Sequence, residues 1–353
     1  MPFNLSGNGP IVSPSTLQYA GGSPKALIKF TSNTSSGGDL CVGDFCVTNG
    51  AVYTSNNYRI FCKNLILNNG RITCNGGNAS GSTRGTAIGR GSLGAGGSGG
   101  NGATFVASVH IPAVSGEGSD GGCLGGSGGA GQTTQYDAGG TPAYSTAGGS
   151  GRSRWIPFSD SGTDYMGGAY QPLVFSSGIA AKTTHVSGVF GSTTYSVSGG
   201  CGGGGGGGVG RNPADGNVGG YAGGGGGGGG GVVHITCSGV IHLMNGSSIA
   251  SVGGNGGNGV TYSTYAGGGG GGGGGGVIII TCQGIHMDSS SYLAVSGGNP
   301  GTIGSQIGEY VPVAGETGRI LILTPSGVFD NGLIASTRPG VIIGSDYPNI
   351  PTF

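Results

Sequence analysis

The residues of this 353-residue chain that could do chemistry are eight cysteines, five histidines, three pairs of nearby acids and one aromatic-rich stretch. The cysteines stand at positions 41, 46, 62, 74, 123, 201, 237 and 282. In CVGDFC, Cys41 and Cys46 have a second thiol pair available in Cys62 and Cys74, but the gaps match no common zinc module. Eight cysteines are too few for a dense disulfide framework in a chain this long, so they read as reduced, buried fillers. The histidines, 110, 185, 234, 242 and 286, contain no helical i, i+4 pair. His242 and His286 occupy equivalent places in a repeat, which predicts a stacked, solvent-facing pair rather than a metal site.

Glycoside cleavage needs two carboxyl groups within roughly 5 to 10 Å. The acid pairs close in sequence are Asp39 with Asp44, Asp160 with Asp164 and Glu309 with Glu316. Acids beside Gly or Ser in turns usually close Asx turns, and a catalytic cleft needs rigid supporting shells that this composition hardly supplies. With 92 glycines, chance matches to G-x-G-x-x-G are expected, and no lysine follows a glycine run to complete a phosphate loop. The expectation is a protein without enzymatic activity and without metal or other cofactor.

The stretch GRSRWIPFSDSGTDYMGGAYQPLVFSSG (151–178) holds the only tryptophan, and it groups Arg152, Arg154, Trp155, Phe158, Tyr165 and Tyr170. Aromatic and arginine side chains on a loop suit recognition, and aromatic faces suit sugar rings, so these six are candidate receptor contacts. The same stretch could instead be a small satellite core that caps its neighbours or packs on another subunit.

The elements that must position these groups come from a repeat. Segments 60–78, 232–258 and 277–301 share one plan, and 318–329 repeats its first part. Each opens on a β-branched run, turns at a small residue, and gives a second and third short strand. Each then leaves through a GG-N corner. Cys62, Cys237 and Cys282 fall at the same place in the plan, so stacking would put them in one column. Short strands that cannot bury an apolar face alone predict an elongated all-β fold: β-solenoid-like coils that complete one another's core.

Three long glycine tracts interrupt the coils: Gly202 to Gly208, Gly223 to Gly231 and Gly267 to Gly276. Glycine-rich sequence commonly serves as a flexible linker. Here the tracts are nearly pure glycine, and two have matching flanks, YAGGG before and a β-branched run ending in TC after. That pattern predicts packed polyglycine-II helices, which rise roughly 3.1 Å per residue with every N–H and C=O pointing outward. Bare backbones can then approach closely and pair sideways.

Polyglycine tracts alternating with short apolar strands and GGNGGNG loops (253–259) resemble the glycine-rich adhesins and fibre proteins of tailed bacteriophages, over roughly residues 60 to 330. The resemblance implies a rigid glycine block whose distal loops carry receptor specificity. It also implies a location in the virion, other virion proteins as partners, and a host surface glycan or outer-membrane protein as receptor. The β-coil repeats between the tracts depart from that plan, and a capsid decoration or head fibre stands as an alternative. So does a cell-made extracellular matrix or filament protein.

Charge fits such a surface role. Net charge is zero with charged residues at 7%, and no basic patch interleaves with aromatics, so neither nucleic acid nor membrane insertion is expected. The first residues, MPFNLSGNGPIVSPS, carry no secretion-signal pattern. This predicts a chain kept in the cytoplasm, where a virion component assembles before lysis. A homo-oligomer is expected, a trimer first. The chain divides into an attachment segment (1–36), a first β-coil region (37–82) and a glycine-rich region with the aromatic insertion (83–231). Repeated β-coils (232–330) and a closing segment (331–353) follow.

Overall fold

The structure, a computed structural model, describes residues 27–88, 91, 97–102, 223–259, 261–262, 265–266, 269–302, 314–315, 317–323 and 341–344. Among these residues every regular element is a strand. In chain order they are β1 (Ile28–Phe30), β2 (Thr34–Ser35), β3 (Leu40–Thr48), β4 (Val52–Thr54), β5 (Arg59–Asn68), β6 (Arg71–Thr73), β7 (Val232–Cys237) and β8 (Val240–Met244). After them come β9 (Ser248–Ala250), β10 (Thr261–Tyr262), β11 (Tyr265–Ala266), β12 (Val277–Thr281), β13 (Gly284–Met287), β14 (Tyr292–Ala294), β15 (Arg319–Leu323) and β16 (Val341–Gly344). No helix of the described residues is long and apolar enough to cross a membrane.

Two parallel sheets contain nearly all of them. The larger runs β1-β3-β5-β7-β12-β15-β16, with β8 paired to β5 and β13 to β8; the smaller runs β2-β4-β6-β9-β14. Among the described strands only β10 and β11, of two residues each, pair antiparallel, beside an isolated antiparallel bridge from Ser80 to Thr83. Each unit of chain supplies a strand to the larger sheet, turns, and supplies one to the smaller. In three units the turn is made by Asn-Gly: Asn49, Asn69 and Asn245 adopt positive φ, and Gly50 and Gly246 after two of them do too, whereas between β13 and β14 Asp288 closes the turn by accepting from the Ser290 and Ser291 N–H groups. Asparagine tolerates that left-handed conformation and glycine meets no steric cost there.

Parallel pairing keeps like residues in rows. Phe45, Leu65, Ile241 and Ile285 align on the larger sheet, and Tyr53, Ile72, Ile249 and Leu293 on the smaller. All eight are buried in one apolar cluster between the sheets. At the β1 end the filling is aromatic, with Phe45 meeting Phe30 edge-on at 5.7 Å and Tyr53 edge-on at 5.0 Å between ring centroids. Burial there pushes the Tyr53 hydroxyl up to about 12, partly offset by a hydrogen bond with Ser36.

The spacing between units falls into three classes: about 17–21, 42–45 and 175–177 residues. Asp44 and Asn64, partners across β3 and β5, are 20 residues apart. Partners such as Gly246 and Ser290, in the units of β8 and β13, are 44 apart, and those joining 75–78 to 252–255 are 177 apart. The longer units insert glycine-rich chain between one unit's last strand and the next unit's first. The 37–82 region holds two short units, β3 with β4 and β5 with β6. Pairing also begins earlier than the 36/37 boundary, because β1 and β2 lie inside the 1–36 segment assigned to attachment. Strands of three and two residues are too short to stand out in sequence, and only their partners β3 and β4 hold them.

Candidate functional site

Glycine residues 223–231 run straight into β7, and 269–276 run straight into β12. Buried peptide groups must be paired, and in the first tract the accounting closes over seven successive residues. Seven consecutive N–H groups, Gly225 to Gly231, each donate to a backbone carbonyl at 2.8–3.0 Å. Gly225, Gly228 and Gly231 donate to Gly81, Gly77 and Cys74; Gly226 and Gly229 to Gly100 and Gly97; Gly227 and Gly230 to Gly271 and Gly274. Each third residue thus faces the same neighbour. In the second tract Gly270, Gly273 and Gly276 donate to Gly257, Gly254 and Ser251.

Such close approach excludes side chains. A Cβ on Gly227 would overlap the carbonyl oxygen of Gly254, one on Gly254 that of Gly77, and one on Gly273 that of Gly228. These are backbone atoms with no rotamer to move. At the junction with β7, a Cβ on Gly231 would meet the Asn57 carboxamide and the Cys74 sulfur. Asn57 is buried, and its Oδ1 accepts the Val232 N–H at 2.7 Å and the Cys74 thiol at 3.2 Å.

Segment 252–257 shows where a side chain is allowed. Gly253 and Gly256 donate to the carbonyls of Ser296 and Asn299, and Gly254 and Gly257 to those of Gly228 and Gly225. The remaining donors, Val252 and Asn255, go to side chains: Oδ1 of Asn75 at 2.9 Å and of Asn78 at 2.8 Å. One unit further on, Asn255 Oδ1 accepts from the Asn299 N–H and Asn258 Oδ1 from the Thr302 N–H, both at 2.8 Å. Asn75, Asn78, Asn255, Asn258 and Asn299 are all exposed. The G-G-N spacing is the chemical trace of this geometry: two of three positions face backbone and must be glycine, while the third faces water and carries a carboxamide.

The remaining side chains play local parts. The β5–β7 register sets Cys62 opposite Cys237; both are buried, as is Cys282 after β12. The hydrogen bond with Cys237 and then burial push the Cys62 thiol up, and burial pushes up that of Cys282. All six described cysteines carry free thiols. His242 and His286 are register partners whose rings stack at 5.2 Å and 18°. Burial, and then the charge of His286, lower the His242 pKa. Asp39 forms an ion pair with Arg59, and Asp44 Oδ1 accepts from Asn64 Nδ2 at 2.8 Å. Burial raises the Asp288 carboxyl, but hydrogen bonds from the Asn245 N–H, Ser291 and Ser290 outweigh it and hold the group at about 2. No group of three or more His, Cys, Asp and Glu among the described residues could hold a metal ion.

The candidate receptor contacts Arg152, Arg154, Trp155, Phe158, Tyr165 and Tyr170 lie outside the described residues, as do Gly202, Gly208 and Gly267. Sequence reasoning passed over the exposed asparagines and Asn57. The former were signalled by the three-residue spacing of Asn within glycine, the latter by nothing local. Compared with known protein families, curated proteins and solved structures, the chain matches none.

Proposed function

We propose that the chain is a β-solenoid carrying a block of packed polyglycine-II helices, and that it serves as an exposed fibre or adhesin of a phage particle. The observation that carries this reading is the run of seven N–H groups, Gly225 to Gly231, bonded in three-way rotation to separate neighbours. A helix of three residues per turn with no internal hydrogen bonds presents its donors in that rotation. Such a block is stiff without a deep apolar core, which suits a part that projects into solvent and must hold its shape. In this reading the chain forms a homo-oligomer, joins other virion proteins, and meets a host surface glycan or outer-membrane protein through residues 151–178. It catalyses no reaction.

Two measurements test it. Antibody to the chain should decorate the outside of assembled particles, and deleting residues 151–178 should lower host adsorption while particles still assemble. Undecorated particles, or filaments grown from the purified chain alone, would refute the virion assignment. Rapid amide exchange through Gly225 to Gly231 would instead remove the glycine helices from the picture.

A further inference from the structure

The five exposed asparagines form an array. Segments 75–79, 252–259 and 296–302 lie side by side, joined by the backbone bonds from Gly76 to Val252, Ala79 to Asn255, Gly253 to Ser296, Gly256 to Asn299 and Gly259 to Thr302. Asn78, Asn255 and Asn299 make one row across the three segments; Asn258 and Thr302 make a second. Within a segment, neighbouring asparagines are three residues apart, roughly 9 Å if the chain rises as polyproline II does. Between segments the step is about 5 Å, the spacing of hydrogen-bonded extended chains.

The orientation of the amides is fixed. In Asn75, Asn78, Asn255 and Asn258 the Oδ1 is occupied by an N–H of the following unit. That leaves each Nδ2, with two N–H donors, directed away from the bond, and among the described residues these Nδ2 groups have no acceptor. The result is a rigid, uncharged lattice of donors held by backbone that cannot relax around it.

We propose that this face binds an uncharged, repetitive polysaccharide. Sugar hydroxyl and ring oxygens are neutral acceptors, and a chain of identical units can meet a row of identical donors in the same way at each step. Single contacts of this kind are weak, and repetition converts them into useful avidity. The array carries no charged side chain to attract nucleic acid or acidic glycans. Among its described residues the apolar side chains are Ala79, Val252 and Pro300, all half-buried, too small for the aromatic anchors of protein interfaces or the apolar centre expected where two copies of one chain meet. The proposal gives a ligand class to the surface-display reading above and rests on that reading only for its biological setting.

Affinity electrophoresis of the full chain through gels containing dextran, mannan or galactan tests it. At least one of these should retard the wild type. Asn78→Asp with Asn258→Asp keeps an acceptor oxygen for the next unit's N–H but removes the donors, without placing two acids in adjacent positions of one row. This double variant should bind about ten-fold more weakly or worse, as loss of repeated contacts implies, with melting unchanged. Asn33→Asp is the control: Asn33 is also exposed and its Oδ1 accepts the Val52 N–H at 3.0 Å, but it lies outside the array and should bind as wild type. If the double variant fails to fold, Asn78→Ser with Asn258→Ser removes the same donors without charge. Wild type unretarded by all three polymers, or equal retardation of wild type and variant, overturns the proposal. So does a variant that loses only self-association, which would give the face to a second copy. Retardation by polysaccharide together with undecorated particles would leave the face standing and sink the virion setting.

Discussion

Between β7 and β12 the register partners Ile235 and Ile280 are both fully buried, and their contact is apolar side chain on apolar side chain. A few residues upstream, in the tracts that lead into those strands, the neighbours Gly227 and Gly271 are joined by a peptide hydrogen bond at 3.0 Å. The same pair of units is therefore joined by two kinds of cohesion in series. Apolar contact is non-directional, roughly proportional to area, and tolerant of modest repacking. Peptide pairing is directional, and each buried donor that loses its acceptor costs about 1 to 3 kcal/mol. The strand units should accordingly forgive conservative change, and the glycine layer should not.

The contrast breaks most visibly at Gly254. Gly254→Val would drive a branched side chain into the Gly77 carbonyl, and the expected loss exceeds about 4 kcal/mol, beyond the usual range for point substitutions. Gly37→Ala meets nothing within 4 Å and should stay within about 0.5 kcal/mol of wild type in the same denaturation experiment. Equal effects at the two sites would show that close backbone packing is not what holds the glycine layer.

On the apolar side, Ile241→Ala deletes a fully buried side chain from its row, with an expected cost of about 2 to 5 kcal/mol in chemical unfolding. Ile241→Leu should cost under about 1.5 kcal/mol, because volume is kept. At the junction, Asn57→Ala leaves the Val232 N–H buried without its acceptor, an expected loss of about 1 to 3 kcal/mol. Amide exchange at Val232 should rise in this variant more than at Ile278.

The smallest effect is the pH response of the stacked histidines. The folded-state pKa of His242 lies below its ordinary 6.5, so between the two values the unfolded chain binds more protons. Stability should then fall as pH drops below 6.5, and His242→Gln should flatten the melting temperature over that window. Along the row, Ile66 precedes His242, and Cys46 and Lys29 lie further along it. A melting temperature that rises on acidification across that range would contradict the burial of His242.

Much of the strand plan was legible in the sequence. The β-branched openings of β7 and β12, the short strands β8, β9, β13 and β14, and the all-strand class follow from residue type and spacing. The boundaries near β1 and β2 were not legible, because short strands carry little local signal and depend on their partners. The asparagine array was half visible: the G-G-N period stood in plain view, but its meaning needed the partners of each donor. Asn57 was not visible at all. Its value comes from Val232, 175 residues away, and the second asparagine of Ser-Asn-Asn-Tyr has no distinguishing pattern.

By itself the sequence determined that strands would alternate with bare backbone, since β-branched runs favour extended chain and glycine tracts offer nothing to bury. It also determined that side chains in the glycine corners would recur every third residue. Only the tertiary structure decided which donor meets which acceptor, that Arg59 lies against His234, and that units 20 and 44 residues long share one register. Peptide groups are chemically identical along the chain, so their pairing carries no residue code. It is set by the register of parallel strands, whose partners are brought together only when the whole stack closes.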